Sequence, residues 1–110
     1  MLPILIVDED QPSLETLQNC IKFLGYSVVS ANTFTEALRV LETLYVDLVI
    51  VDLSGCNRMK GSPFAADILR IQPKARIIFL TGDPMGCVPS HACLVKPYLL
   101  SDLHQAIETH

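Results

Sequence analysis

Apolar and polar positions follow two different periodicities along this chain. The four consecutive apolar residues 48–51 are mostly β-branched, which is typical of a strand buried on both faces of a sheet. This run stops at Asp52, and a similar run over residues 2–7 stops at Asp8. Shorter runs of the same kind complete a prediction of five strands, at residues 2–7, 27–31, 48–51, 75–80 and 94–95.

The segments between these runs place apolar residues three and four positions apart, which predicts amphipathic helices. The first helix tolerates Pro12 in its first turn and ends at Gly25. Thr33 and Glu36 have the spacing of a capping box at the start of the second helix. Ser62, which is followed by a proline, is the predicted cap of the third helix. A last helix follows the fifth strand.

Strands that alternate with helices at this spacing predict an α/β fold with a doubly wound, five-stranded parallel sheet. The 110 residues fit a single domain, which we place over residues 1–110. In a parallel sheet the carboxyl ends of the strands lie along one edge, where such sheets bind ligands. Four polar side chains close predicted strands and should gather at that edge: Asp8, Asp52, Thr81 and Lys96.

Composition and charge exclude several classes of function. Only 18% of the residues are charged, and the net charge of −4 comes without a Lys/Arg cluster, so we expect no nucleic-acid partner. The sequence has no apolar run of membrane-spanning length and no signal peptide, so we expect a cytoplasmic protein with no membrane partner and with reduced thiols. Zinc bound by Cys87, His91 and Cys93, with Cys56 nearby, stays open although the spacing matches no standard ligand pattern.

The expected cluster at the sheet edge has a definite chemistry. Clustered carboxylates favour a hard cation such as Mg²⁺ or Mn²⁺, which Asp8 or Glu9 could hold together with Asp52. Asp52 is then placed to attack a phosphoryl group and form an aspartyl phosphate. Thr81 could donate a hydrogen bond to one phosphoryl oxygen, and Lys96 could pair with another.

With these groups the chain resembles the receiver domain of two-component response regulators. The resemblance covers nearly the whole chain and rests on four motifs in order, at residues 7–10, 47–52, 77–82 and 94–98. It implies the flavodoxin-like strand order 2-1-3-4-5. It also implies that Asp52 accepts phosphate from a phosphohistidine of a histidine kinase or a histidine phosphotransfer protein, and that the domain catalyses its own phosphorylation and dephosphorylation.

The resemblance assigns further residues. It makes Asp8 and Glu9 the acidic pair around Mg²⁺, and it makes the Ser54 carbonyl a further metal ligand. Thr81 becomes the switch hydroxyl and Lys96 the phosphate-binding lysine, with a cis peptide bond between Lys96 and Pro97. Side chains two positions beyond Asp52 and Thr81 are placed to orient or block the water that hydrolyses the phosphate. Those two tuning residues are Ser54 and Asp83.

The chain departs from the family pattern at three places. Cys56 stands where the family has a proline, and Gly61 comes one residue late. Cys93 replaces the usual aromatic residue three positions before Lys96, which puts the standard threonine–aromatic switch in doubt. Residues 82–91 contain two glycines besides two prolines and are too few for the fourth helix with its connections, so we expect a loop or a single turn.

A missing helix has a consequence for the surface. It would leave one face of the fourth and fifth strands bare, and an apolar patch of that kind favours a homodimer or another protein contact. In the alternative arrangement, Met85, Val88 and Pro89 fold back over the strands and bury them.

Two other functions compete with a phosphoacceptor. A degenerate pseudo-receiver would act only as a protein-interaction module. A phosphatase of the haloacid-dehalogenase type would use Asp8 as its nucleophile, although 110 residues leave little room for the cap of that fold.

Overall fold

The elements alternate along the chain as the hydrophobic pattern predicts. The computed structural model describes residues 2–53 and 61–109. The strand bounds differ from the sequence prediction by at most two residues. In chain order the elements are β1 (Ile4–Asp8), α1 (Gln11–Phe23), β2 (Val28–Ala31), α2 (Phe34–Thr43), β3 (Leu48–Asp52), α3 (Gly61–Ile71), β4 (Arg76–Thr81), a 3-10 turn (Pro84–Gly86), β5 (Ala92–Val95) and α4 (Leu100–Glu108).

The five strands form one parallel sheet in the order β2-β1-β3-β4-β5, which confirms the predicted fold class and strand order. All residues of β1 and β3 are buried, as expected for apolar strands covered on both faces. The pairing of β1 with β3 sets Asp8 directly beside Asp52. The sheet register therefore brings two acidic side chains together at its carboxyl edge.

Helices cover the sheet on both faces. Alternate strand residues, such as Leu5 and Val7, pack in one core with α2 and α3. Their neighbours, such as Ile4 and Ile6, pack in a second core with α1 and α4. This division follows from the two-residue period of a strand, which sends successive side chains to opposite faces. Among the described helices, none is long and apolar enough to cross a membrane.

Most helix ends were predicted correctly, and one was not. Pro12 lies in the first turn of α1, and Gly25 follows the helix with a φ of +97°, a conformation that glycine adopts readily. The Thr33 hydroxyl accepts a hydrogen bond from the backbone N–H of Glu36. The predicted cap at Ser62 is wrong, because α3 already begins at Gly61, whose backbone is buried against the core.

The sequence predicted that the fourth helix, between the fourth and fifth strands, is missing or reduced. The segment between β4 and β5 contains a single 3-10 turn, Pro84–Gly86, which confirms this prediction. The expectation of a bare sheet face is wrong in part. Val88 folds back and is buried in the same core as Phe79, while Met85 stays 78% exposed and Pro89 is exposed. Of the three residues proposed to cover the strands, only Val88 does so.

Two of the cysteines are bonded to each other, which corrects the prediction of reduced thiols. Cys87 and Cys93 form a disulfide with their Cα atoms 5.7 Å apart. The loop makes this possible because it returns to the sheet at Cys93, which pairs with Phe79 of β4. The zinc alternative loses Cys87 and Cys93 as ligands, and the described residues include no group of three or more potential metal ligands. Cys56 lies outside the described residues.

Candidate functional site

The polar side chains that close the strands meet at one edge of the sheet. Asp8 ends β1, Asp52 ends β3 and Thr81 ends β4, and these residues are only 1%, 3% and 4% exposed. Lys96 follows β5, and its backbone N–H donates a hydrogen bond to the Thr81 carbonyl over 2.7 Å. The edge therefore holds two buried carboxylates, one hydroxyl and one ammonium group, as the sequence predicted.

The carboxyl of Asp8 is held on one side and lacks a hydrogen bond on the other. Its Oδ1 accepts a hydrogen bond from the backbone N–H of Asp10 at 2.9 Å. Its Oδ2 is buried and has no hydrogen-bond partner among the described residues. Burial raises the pKa of Asp8 to about 6 against the lowering effect of the Asp10 N–H, and the neighbouring Asp52 raises it further. Asp8 is thus a costly buried charge that a cation would stabilise.

Asp52 forms a salt bridge with Lys96. The Nζ atom of Lys96 lies 2.6 Å from Oδ2 of Asp52. The Lys96 side chain is 32% exposed whereas Asp52 is almost fully buried, so the lysine reaches inward from the protein surface. The peptide bond between Lys96 and Pro97 is cis, as predicted. Because the Lys96 side chain is long and reaches in from the surface, its ammonium group can pair either with the Asp52 carboxylate or with a negatively charged group attached to that carboxylate.

The hydroxyl of Thr81 is engaged by the turn that follows β4. Its Oγ1 accepts a hydrogen bond from the backbone N–H of Asp83 at 3.1 Å and donates to the Asp83 carbonyl at 3.2 Å. The Asp83 carboxylate in turn accepts a hydrogen bond from the N–H of Met85 and caps the 3-10 turn. Asp83 is exposed, so its position beside the site is compatible with the predicted tuning role.

The acidic residues after Asp8 have different environments. Glu9 is exposed. Among the described residues, it does not form a group of three potential metal ligands with Asp8 and Asp52. Asp10 caps α1 by accepting a hydrogen bond from the Ser13 N–H, and bonding to Ser13 lowers its pKa. Ser54, predicted both as a metal ligand through its carbonyl and as a tuning residue, lies outside the described residues.

Sequence reasoning missed two features beside the site. A Cβ atom added to Gly86 would lie 2.6 Å from Oγ1 of Thr81, so the backbone of the 3-10 turn lies against the Thr81 hydroxyl. Tyr98 lines a groove of about 550 Å³ that runs from Asp52 and Lys96 between α1 and α4. Burial, with a smaller effect of Asp52, raises the pKa of Tyr98 to about 12. The shortness of the segment 82–91 was the only sequence signal for the Gly86 contact.

The chain is similar to known signalling proteins. Residues 4–108 match the family model described as "Response regulator receiver domain". The transcriptional regulatory protein GlrR of Escherichia coli K12 is 37% identical over 96% of this chain, and the match covers 25% of GlrR. The sensor histidine kinase RcsC of the same strain is 28% identical over 94% of this chain and 12% of RcsC. The chain therefore spans about a quarter of GlrR and still less of RcsC.

Solved structures show the same architecture. A CheY-like response regulator receiver domain protein from Methanospirillum hungatei JF-1 superposes with a TM-score of 0.83 at 28% identity, covering 98% of this chain and 92% of that one. A response regulator protein from Burkholderia pseudomallei has a TM-score of 0.83 at 26% identity, covering 99% of this chain and 68% of that one. The latter structure contains a phosphorylated aspartic acid, a calcium ion and citrate.

Proposed function

Because the chain belongs to the response regulator receiver domain family, we propose that Asp52 accepts a phosphoryl group from a phosphohistidine. The donor is a histidine kinase or a histidine phosphotransfer protein of a two-component system. The observation that carries this proposal is the buried edge on which Asp8, Asp52, Thr81 and Lys96 meet. It supplies a nucleophile, a hydroxyl donor, an ammonium group and a second carboxylate, one of whose oxygens has no hydrogen bond among the described residues.

The transfer exchanges one bond to phosphorus for another. A carboxylate oxygen of Asp52 forms a P–O bond while the P–N bond of the phosphohistidine breaks, and the electron pair of that bond returns to the imidazole nitrogen. The salt bridge to Lys96 orients the Asp52 carboxylate before the reaction. After it, the ammonium group can pair with a phosphoryl oxygen, and the Thr81 hydroxyl can donate to another once it leaves Asp83.

The residues at the edge fit a divalent cation, and we propose Mg²⁺ or Mn²⁺. The buried Oδ2 of Asp8 lacks a hydrogen bond among the described residues and lies beside a second carboxylate, an all-oxygen donor set that hard cations prefer. Asp8 and Asp52 would hold the ion directly, with the Ser54 carbonyl as a further ligand, and the exposed Glu9 would act through bound water. When bound, the ion neutralises oxygens of the incoming phosphoryl group.

Hydrolysis of the aspartyl phosphate resets the domain, and the same edge would carry it. Water must approach the phosphorus in line, on the side opposite the Asp52 oxygen. Asp83 is exposed beside Thr81, which supports a role in orienting or blocking that water, and Ser54 is its counterpart after Asp52. The domain in this proposal catalyses its own phosphorylation and dephosphorylation.

Labelling with a small phosphodonor tests this proposal. Acetyl phosphate with Mg²⁺ should add one phosphoryl group to the wild-type chain, as measured by intact mass. Asp52→Asn should abolish the addition, because it keeps the size and removes the nucleophile. Asp47→Asn is the matched control, since Asp47 is an exposed aspartate just before the same strand. Label on Asp8 would instead indicate the phosphatase chemistry, and no label at all would indicate a pseudo-receiver.

We also propose that the face of β4 and β5 mediates a homodimer or another protein contact. Val88 covers part of this face, but Cys93 and Val95 of β5 remain only partly buried. Sedimentation velocity at increasing protein concentration tests self-association, with and without beryllofluoride. A single monomeric species under all conditions would contradict the homodimer.

A further inference from the structure

The loop between β4 and β5 is closed on itself by the Cys87–Cys93 disulfide. The bonded cysteines are six positions apart, and both residues are partly exposed. Cys93 is fixed in the sheet because it pairs with Phe79 of β4. The disulfide therefore ties Cys87, which directly follows the 3-10 turn, to the edge strand β5 of the sheet.

The residues on either side of Cys87 connect this bond to the phosphoryl-transfer site. Gly86 lies against the Thr81 hydroxyl, with space too small for a Cβ atom. Val88 is buried, and its Cγ2 would lie 2.8 Å from a Cβ atom added to Gly61 at the start of α3. One short segment thus touches both the switch hydroxyl and the first residue of α3.

We infer that the Cys87–Cys93 disulfide is a redox-sensitive modification site that controls how readily the domain adopts its phosphorylated arrangement. This inference rests on the proposed function of Asp52. Thr81 can donate to a phosphoryl oxygen only after its hydroxyl gives up the Asp83 carbonyl, and we expect the turn around Gly86, which packs against that hydroxyl, to shift with it. The disulfide holds that turn in the resting arrangement, and its reduction releases the turn.

The redox step is a thiol–disulfide exchange with a low-molecular-weight dithiol. A thiolate of the dithiol attacks the sulfur of Cys87 or Cys93, the S–S bond breaks, and a mixed disulfide forms. The second thiol of the reagent then attacks the mixed disulfide and closes its own disulfide. Two electrons and two protons end on the pair of cysteine thiols, and the dithiol is oxidised. An oxidised dithiol reverses the reaction.

Beryllofluoride, a mimic of the phosphoryl group, measures the effect directly. The experiment uses a chain with Cys20→Ser and Cys56→Ser, so that Cys87 and Cys93 are the only cysteines. Affinity for beryllofluoride with Mg²⁺ is read from backbone amide NMR signals, first in the oxidised chain and then in dithiothreitol. We expect binding to be at least about fivefold tighter after reduction, the lower end of typical coupling between two sites.

A cysteine-free chain is the matched control. With Cys87→Ser and Cys93→Ser added, binding should equal that of the reduced chain and should not respond to dithiothreitol. Equal affinity of the oxidised and reduced chains would overturn the inference, as would weaker binding after reduction or a redox effect that persists without these cysteines. Circular dichroism checks that the reduced chain stays folded, and reoxidation checks that the change is reversible. Loss of the fold on reduction would mean that the disulfide is only structural, and it would overturn the inference.

Failure of the proposed function has a different signature. If beryllofluoride binds in neither redox state, Asp52 is not the phosphoacceptor. The link between the disulfide and the turn is then tested by comparing the backbone amide NMR signals of Thr81 and Gly86 before and after reduction. Unchanged signals on reduction would overturn the inference, and a shift of both signals would support the link between the disulfide and the turn.

Discussion

Replacing Asp8 with asparagine should stabilise the metal-free domain. Burial and the neighbouring Asp52 raise the pKa of Asp8 from 3.8 to about 6. A shift of this size corresponds to about 3 kcal/mol of folding free energy at 1.36 kcal/mol per pKa unit. Asparagine keeps the oxygen that accepts the Asp10 N–H but cannot ionise, so the variant avoids this cost.

The sign of the pH dependence follows from proton binding. The pKa of Asp8 is higher in the folded state than in the unfolded state. Between about pH 4 and about pH 6, Asp8 is therefore protonated in a larger fraction of folded chains than of unfolded chains. This group therefore lowers stability progressively as pH rises from about 4 to about 6, and its full cost remains above that range. Below about pH 4 both states are protonated, and the advantage of Asp8→Asn should vanish.

Urea unfolding followed by far-ultraviolet circular dichroism measures this effect in the presence of a chelator. At pH 7.5 we expect Asp8→Asn to raise the free energy of unfolding by about 1–3 kcal/mol, the upper value being the full pKa shift. Asp47→Asn is the control, because Asp47 is exposed and should change stability little. Added Mg²⁺ should then stabilise the wild type but not Asp8→Asn, since ligand binding to the folded state alone adds stability.

Two results would refute this reasoning. The first is an Asp8→Asn variant that is less stable than the wild type at pH 7.5 without metal. The second is a stability difference from the wild type that stays constant between pH 4 and 7.5, since only a titrating carboxyl in the folded state predicts that the difference changes.

Two further substitutions test the packing around the site and the core. Gly86→Ala should lower the free energy of unfolding by about 1–3 kcal/mol, because its Cβ would collide with Thr81, whereas Gly82→Ala meets open space and should be nearly neutral in urea unfolding. Gln72→Leu should cost about 2 kcal/mol or more by thermal or urea unfolding, since buried Gln72 bonds three main-chain groups. Exposed Gln105→Leu is its control, and an equal effect there would contradict the argument.

The sheet and the strand-end cluster could be predicted because local signals dictate them. The run 48–51 admits a buried strand and little else, and the alternation of strands with helices leads to a parallel sheet. Once the sheet is parallel, Asp8 and Asp52 must meet at one edge, as the register shows. The cluster therefore followed from topology, without knowledge of any side-chain contact.

The loop after β4 could be predicted in length but not in packing. The contact of Val88 with Gly61 joins residues far apart in sequence, and no periodicity encodes it. The Cys87–Cys93 disulfide was missed because the sequence prediction treated every cysteine as a reduced thiol of a cytoplasmic protein. A short loop that returns to the neighbouring strand brings two side chains within bonding reach.

Chemical identification of the modified aspartate tests the central claim most directly. The chain is treated with acetyl phosphate and Mg²⁺, then with sodium borohydride, which reduces an aspartyl phosphate to homoserine. Peptide mass spectrometry then locates the homoserine. We expect homoserine at position 52 and an unchanged aspartate at position 8. Homoserine at position 8, or at neither position in a chain that remains folded, would contradict it.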